Sequence, residues 1–240
     1  MARHLVGVDG CKAGWTAVSI IDGEWRSLEV FASLVALWEV HEDADRILVD
    51  MPIGLLTEGS EERQCERLAR RMLGRRRSSV FRVPCRDAVY ASSREERQRL
   101  NRERTGKSLS VQCLAIVPRI REVDCLLRAN SRARQVFFES HPELVFCMLN
   151  GGHSMKRNKR SPEGQEERMR VLLSTGAVPR DGLDCVLRQR DCLPAPRPGH
   201  DDILDALALA VAARVRKDSM MRIPRNPPLD DAGLPMQMVY

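Results

Sequence analysis

Acids stand in this chain where a folded interior would tolerate them least. The stretch His200-Asp201-Asp202-Ile203-Leu204-Asp205-Ala206-Leu207-Ala208-Leu209-Ala210 opens with three carboxylates and is otherwise almost wholly apolar. A helix so apolar packs in an interior, where an unpaired carboxylate is costly. Asp202 and Asp205 are three apart and share one helix face, and Asp201 lies four from Asp205. Acids placed this way repel unless a cation sits between them, and a hard divalent ion is the usual solution. Capping of the helix N-terminus accounts for Asp201, but not for Asp205, a full turn inside. Asp202 and Asp205 are therefore the candidate ligands.

Three more acids end apolar runs: Leu5-Val6-Gly7-Val8-Asp9, Arg46-Ile47-Leu48-Val49-Asp50 and Gln135-Val136-Phe137-Phe138-Glu139. Each run reads as a buried strand. Trp15 to Ile21 and Glu24 to Val30 flank Asp22-Gly23, a strong hairpin signal, so the chain opens with a three-stranded antiparallel meander. Ser33 caps a helix carrying Leu34, Leu37 and Trp38. Each later strand follows a helix and can return parallel to the first by a right-handed crossover. The expected fold is α/β, one domain over 1–240. It has a five-stranded mixed sheet in the order 3-2-1-4-5, flanked by helices, with a helical insertion over 57–134 between strands 4 and 5. Such a sheet brings Asp9, Asp50 and Glu139 to one edge, where open α/β sheets carry their sites. Further along, Leu109 to Leu127 has helical periodicity, bent or divided at Pro118. Gly151 to Gly164 has the composition of a mobile flap, Pro179 to Pro198 holds one short helix, and the tail from Pro224 reads as extended over the surface.

Four or five acids without a matching His or Cys triad favour Mg2+ or Mn2+ over zinc. Two such ions about 4 Å apart activate a water and stabilise the leaving oxygen of a phosphodiester displacement. Charge distribution agrees with an anionic partner. From Thr57 to Arg134 there are nineteen Arg and one Lys against ten Asp or Glu, a local balance of +10 in a chain whose net charge is +6. A solvated surface on which arginines pair with neighbouring glutamates explains the same count. Lys12, just past the first acid, can meet a phosphate. Arg86, with Arg63 and Arg67, can line a nucleic-acid path, and His141 can shuttle a proton or dock substrate. Aromatic residues, at 4%, are too few for a stacking platform, so nucleic acid would be gripped through its phosphates. Eight cysteines include no C-x-x-C pair, and Met1 to His4 has no signal-peptide anatomy, so reduced thiols and a cytoplasmic location are expected. No membrane partner is expected.

The order of these elements and the placement of their acids resemble the ribonuclease H-like fold. Asp202-Ile203-Leu204-Asp205-Ala206-Leu207-Ala208 is similar to the closing D-x-x-D-A-L-A helix of RuvC-type Holliday-junction resolvases. By that likeness Asp9 matches the first-strand aspartate, and Asp50 takes a fourth-strand position usually held by a glutamate. Nearly end to end, the chain resembles the family of predicted ribonuclease H-like nucleases, a domain-of-unknown-function group. The motifs are Gly7 to Trp15, Asp50-Met51-Pro52-Ile53-Gly54-Leu55, Glu139-Ser140-His141-Pro142-Glu143 and the Asp-rich helix. The resemblance implies a metal-dependent nuclease with Asp9, Asp50, Asp202 and Asp205 as ligands and Glu139 as a further catalytic acid, although Glu139 has no counterpart in the resolvase motif. Two readings compete with it. One is a catalytically silent member of the same fold that binds nucleic acid or protein. The other is an ATP-dependent phosphotransferase of the actin and sugar-kinase kind, which needs two such domains where this chain has strands for one.

Overall fold

Alternation along the strands decides which residues meet which layer of helices. β1 (His4–Cys11), β2 (Gly14–Ile21) and β3 (Glu24–Phe31) form the expected meander, turning at Asp22 and Gly23 with φ of 54° and 85°. β4 (Arg46–Val49) pairs parallel to β1, and β5 (Phe137–Glu139) pairs parallel to β4, giving the order β3-β2-β1-β4-β5. The structure is a computed structural model in which residues 3–214 and 220–240 are described, so Met1 and Ala2 of the N-terminal reading lie outside it.

Val6, Val8, Ile47 and Val49 face a layer made by α1 (Leu34–Val40) and α5 (Val111–Ala129). Leu5 and Leu48 face the opposite layer: α7 (Pro142–Leu149), α8 (Pro162–Ser174), α9 (Arg180–Cys192) and α10 (His200–Ala213). Gly7 belongs to that second face. A Cβ there would overlap the backbone of Ala206 and Ala210, so α10 rests directly on β1 through a stripe of alanines. That close approach sets the height of the acids on α10 against the end of β1.

The segment between β4 and β5 is helical. α2 (Gln64–Leu73), a short 3-10 helix (Gly74–Ser79), α3 (Arg86–Tyr90) and α4 (Arg94–Thr105) precede α5, which packs on the sheet. α5 runs unbroken through Pro118. Pro118 lies on its exposed side, and the buried row of Val117, Ile120, Val123 and Leu127 holds the helix together. Gln135 and Val136 end a helix, α6 (Ser131–Val136), whose cap is Asn130 accepting from the Ala133 N–H, so only three residues remain for β5. α9 is a full helix of 13 residues rather than a short one.

The tail does more than lie on the surface. Met236, Met238 and Val239 are buried. β7 (Met238–Val239) pairs with β6 (Arg222–Ile223), and Val239 bridges Ser140 beyond β5. Asp230 ties it down by accepting the N–H groups of Leu55, Ala232 and Leu234. Among the described residues no helix is long and apolar enough to cross a membrane.

Candidate active site

Asp9 follows Leu5 and Gly7 on alternate positions of β1 and therefore faces α10. Asp50 leaves β4 in step with Leu48, on the same side, its N–H donating to the Val8 carbonyl at 2.9 Å. Asp205 precedes Ala206, whose carbonyl is what Gly7 leaves room for. Three elements thus bring Asp9, Asp50 and Asp205 together on the floor of a cleft of about 490 Å3. Asp9 is 6% exposed and Asp205 2%. Burial pushes the Asp9 carboxyl well above its usual range, and Asp50 reinforces the shift. Asp50 is raised by burial too, and it shares a side-chain hydrogen bond with Asp9. Asp205 is pushed up to about 6 by burial, against the pull of Lys159.

Lys159 is the residue that sequence reasoning missed. Its ammonium reaches from the loop before α8 to within 2.5 Å of Asp205 Oδ2. Burial works against its charge, but Asp205 and then Asp9 overcome that and hold its pKa above the ordinary lysine value. The loop is fastened, not loose. Glu167 accepts the N–H groups of Lys156 and Arg157 at 2.9 Å each. Arg76 donates to the carbonyls of Met155 and Arg157. The fully buried Arg168 donates to the Gly164 carbonyl at 3.1 Å and pairs with Glu143. Gly164 itself touches the Asn158 backbone so closely that no Cβ fits. The expectation of a mobile flap is corrected: glycines and charges that suggest mobility instead serve a tight seat on α8. Nothing in the run Lys156-Arg157-Asn158-Lys159-Arg160 marks Lys159 from its neighbours, so no sequence signal was there to find.

Other expected site residues divide. His141 lines the cleft near Asp50; its Nε2 lies 3.3 Å from the Ser79 carbonyl, and its buried Nδ1 has no partner. Asp202 also lines the cleft, but one oxygen accepts the Gly199 N–H at 2.8 Å, so Asp202 caps α10, a role expected of Asp201. Asp201 faces Arg160 at 3.5 Å instead. Glu139 also lines the cleft, but by other contacts than Asp9 and Asp50: it stands in register with Val49, one step before Asp50, and so leaves the sheet on the opposite face. There Arg63 donates to both of its oxygens at 2.8 Å, and the Ile53 N–H adds a bond at 2.7 Å. A carboxylate so occupied is a structural anchor rather than an open catalytic group. Arg63 also bonds Glu66, which removes it from any exposed nucleic-acid path. Arg86 is corrected likewise: it joins Asp124 and Asp230 and so locks α3 to α5 and the tail. Lys12 is exposed in the β1–β2 turn and does not line the cleft. Gln112, Ala115, Ile116 and Arg119 form one face of α5 along the cleft wall, at the spacing of successive helical turns. Arg119 donates to the carbonyls of Cys11 and Gly14 and fastens the turn beyond Asp9.

The donors on the floor are carboxylate oxygens, the set that a hard divalent ion takes. Asp9, Asp50, Asp202 and Asp205 outnumber the lysine among them, so the cluster still calls for positive charge. Among the described residues no three such side chains enclose an ion-sized space as they stand, and Lys159 would have to yield its place. Donor chemistry and charge therefore fit Mg2+ or Mn2+ in competition with Lys159. Lys159→Met is expected to lower stability by about 2–3 kcal/mol without divalent ions, less than for a fully buried pair because a third of the side chain meets water. Mn2+ should then raise the melting temperature of the variant more than that of the parent. Differential scanning fluorimetry in EDTA and in Mn2+ reads both effects; equal shifts would show that Lys159 and the ion do not compete.

A meander followed by two parallel strands in the order 3-2-1-4-5, with helices on both faces, defines a protein of ribonuclease H-like architecture. Its acids lie at the ends of the first and fourth strands and on the closing helix. The chain belongs to the family described as protein of unknown function (DUF429), whose model matches residues 7–229. No curated protein and no solved structure matches it.

Proposed function

We propose that the cleft is the active site of a divalent-metal-dependent nuclease that hydrolyses phosphodiester bonds of nucleic acid. One observation carries this reading: the surplus of buried carboxylate where β1, β4 and α10 converge, opposed by Lys159. The likeness of Asp202 to Ala208 to the closing helix of RuvC-type resolvases supports it. Mg2+ or Mn2+, as one ion or a pair, would be held by Asp9, Asp50 and Asp205 with Asp202 at the mouth, and supplies Lewis acidity and an activated water when bound.

The chain's own residues do the remaining work. Asp9, Asp50 and Asp205 fix the place of positive charge from three separate elements. Lys159, freed from Asp205, stays on its fastened loop and presents a point charge to an incoming phosphate. His141 offers a buried, unpartnered Nδ1 that can hold or pass a proton beside Asp50. Phe81, Val83 and Ile116 make one wall of the cleft apolar and limit water on that side. The eight free cysteines fit a reducing, cytoplasmic setting.

The test is direct. End-labelled DNA and RNA, as single strands, duplexes and four-way junctions, are incubated with the purified protein in Mg2+, Mn2+ or EDTA. Ion-dependent cleavage of at least one substrate is expected, and intact substrates in every arm would contradict the proposal. A second reading, a silent nucleic-acid binder, draws on Lys159 already neutralising part of the cluster. It is selected if nucleic acid binds and metal binds without turnover.

A further inference from the structure

The positive charge of the helical insertion separates into two populations. Arg63, Arg67, Arg70, Arg86, Arg99 and Arg104 are paired with carboxylates. These are structural, as the pairing reading of the sequence expects. Arg75 and Arg76, in the 3-10 helix after α2, make no ion pair among the described residues, and neither do Lys156 and Arg157 across from them. These four, from segments about eighty positions apart, line a groove of about 1080 Å3 into which no Asp or Glu projects.

Like charges gathered from distant segments repel; Glu163 near Arg157 and Glu167 near Arg76 offset this only in part, from outside the groove. Two features hold them in place regardless. Arg76 spans the groove by donating to the carbonyls of Met155 and Arg157, and Glu167 fixes the opposite wall through backbone N–H groups. The guanidinium of Arg75 and the heads of Lys156 and Arg157 are left exposed to solvent. Position matters as much as charge. One wall of the groove ends at Ser78, and Ser79 lines the acidic cleft; the other ends at Asn158, and Lys159 lines the cleft. Both walls therefore pass from the basic groove into the carboxylate site without a break in the chain.

We propose that this groove is a phosphate track, which holds the backbone of one nucleic-acid strand and leads it to the acidic floor. The ligand chemistry is a run of consecutive phosphodiesters. A lone anion would need fewer cations, and an acidic peptide lacks the regular spacing of charge that cations on two facing walls can follow. The direction of the strand rests on reading the cleft as a phosphodiester hydrolase, but the binding does not.

The experiment measures fluorescence anisotropy of labelled single-stranded DNA and RNA oligonucleotides over a series of salt concentrations, with divalent ions chelated so that no cleavage occurs. The variant Arg75→Gln/Lys156→Gln/Arg157→Gln spares Arg76, which holds the loop. Removing three contacts is expected to flatten the slope of log K against log salt by about 2, at roughly 0.7 per single-strand phosphate, and to weaken binding on the order of tenfold near physiological salt. A control, Arg94→Gln/Arg102→Gln/Lys107→Gln, removes equal charge from α4 and the turn after it, away from the groove, and should keep the parent slope. An unchanged slope in the groove variant, an equal loss in the control, or no binding by the parent protein would overturn the proposal. Failure of the nuclease reading would appear separately, as absent cleavage by a protein that still binds.

Discussion

Asp9→Asn is expected to melt higher than the parent protein near neutral pH and to cleave nucleic acid at least about 10^3-fold more slowly. The stability gain follows from linkage. Folding raises the Asp9 pKa, chiefly by burial and then by Asp50, so the native state holds that proton more tightly than the unfolded chain does. Stability contributed by this group therefore falls as pH rises from the ordinary value of 3.8 to the raised native one; below that interval the cost is absent, and above it the cost is complete. Asparagine cannot ionise, and its amide still donates to Asp50 as the protonated carboxyl does. The attraction lost from Lys159 is smaller than the burial and repulsion removed. The melting curves of the two proteins should converge at acid pH and separate as pH rises. At about 2–4 °C per kcal/mol for a chain of this size, a gain of one or two kcal/mol is readily measured. Asp205 adds a cost of the same sign between 3.8 and about 6. A parent that melts higher than Asp9→Asn near neutrality would mean that the cluster is not frustrated.

Gly7→Ala is expected to be strongly destabilising although it adds a single methyl. The added carbon would overlap the Ala206 oxygen and Ala210 nitrogen, both backbone atoms that no rotamer change can move. Overpacking of a well-filled core costs roughly 1–3 kcal/mol, and here α10 must lift from β1 as a unit, which places the loss at about 3 kcal/mol or a fall of roughly 6–12 °C. Lifting α10 also draws Asp205 away from Asp9, so activity should fall in the folded fraction as well. Gly106→Ala is the comparison. It has φ of 69° and nothing within 4 Å, so only backbone strain of about 1 kcal/mol applies. Thermal melts of the pair separate close packing from strain, and equal losses would refute the role given to Gly7.

How far the sequence revealed this site differs residue by residue. Asp9, Asp50 and Asp205 were legible because strand alternation and helical apolarity are local signals, and each acid breaks one of them. The sheet order followed from one hairpin and two crossovers. Glu139 looked equivalent to Asp9 and Asp50 because it too ends a strand. Its face depends on register, and pairing with Val49 turned it toward Arg63. Asp201 and Asp202 are both first-turn acids, and only the seat of Gly199 decides which one caps. Lys159 was invisible because its place is set by the contact of Gly164 with Asn158 and by the bonds of Glu167 and Arg168. Paired and unpaired arginines carry the same charge in a count, and tertiary contacts alone tell Arg86 from Arg75.

In the proposed site the Asp9, Asp50 and Asp205 carboxylates would hold a divalent ion. Anomalous diffraction from crystals soaked in Mn2+ tests it most directly. One or two peaks are expected among those three carboxylates, with the Lys159 ammonium moved off Asp205 and no peak in Asp9→Asn crystals. Saturating Mn2+ with no peak there, and Lys159 still bonded to Asp205, would contradict the account.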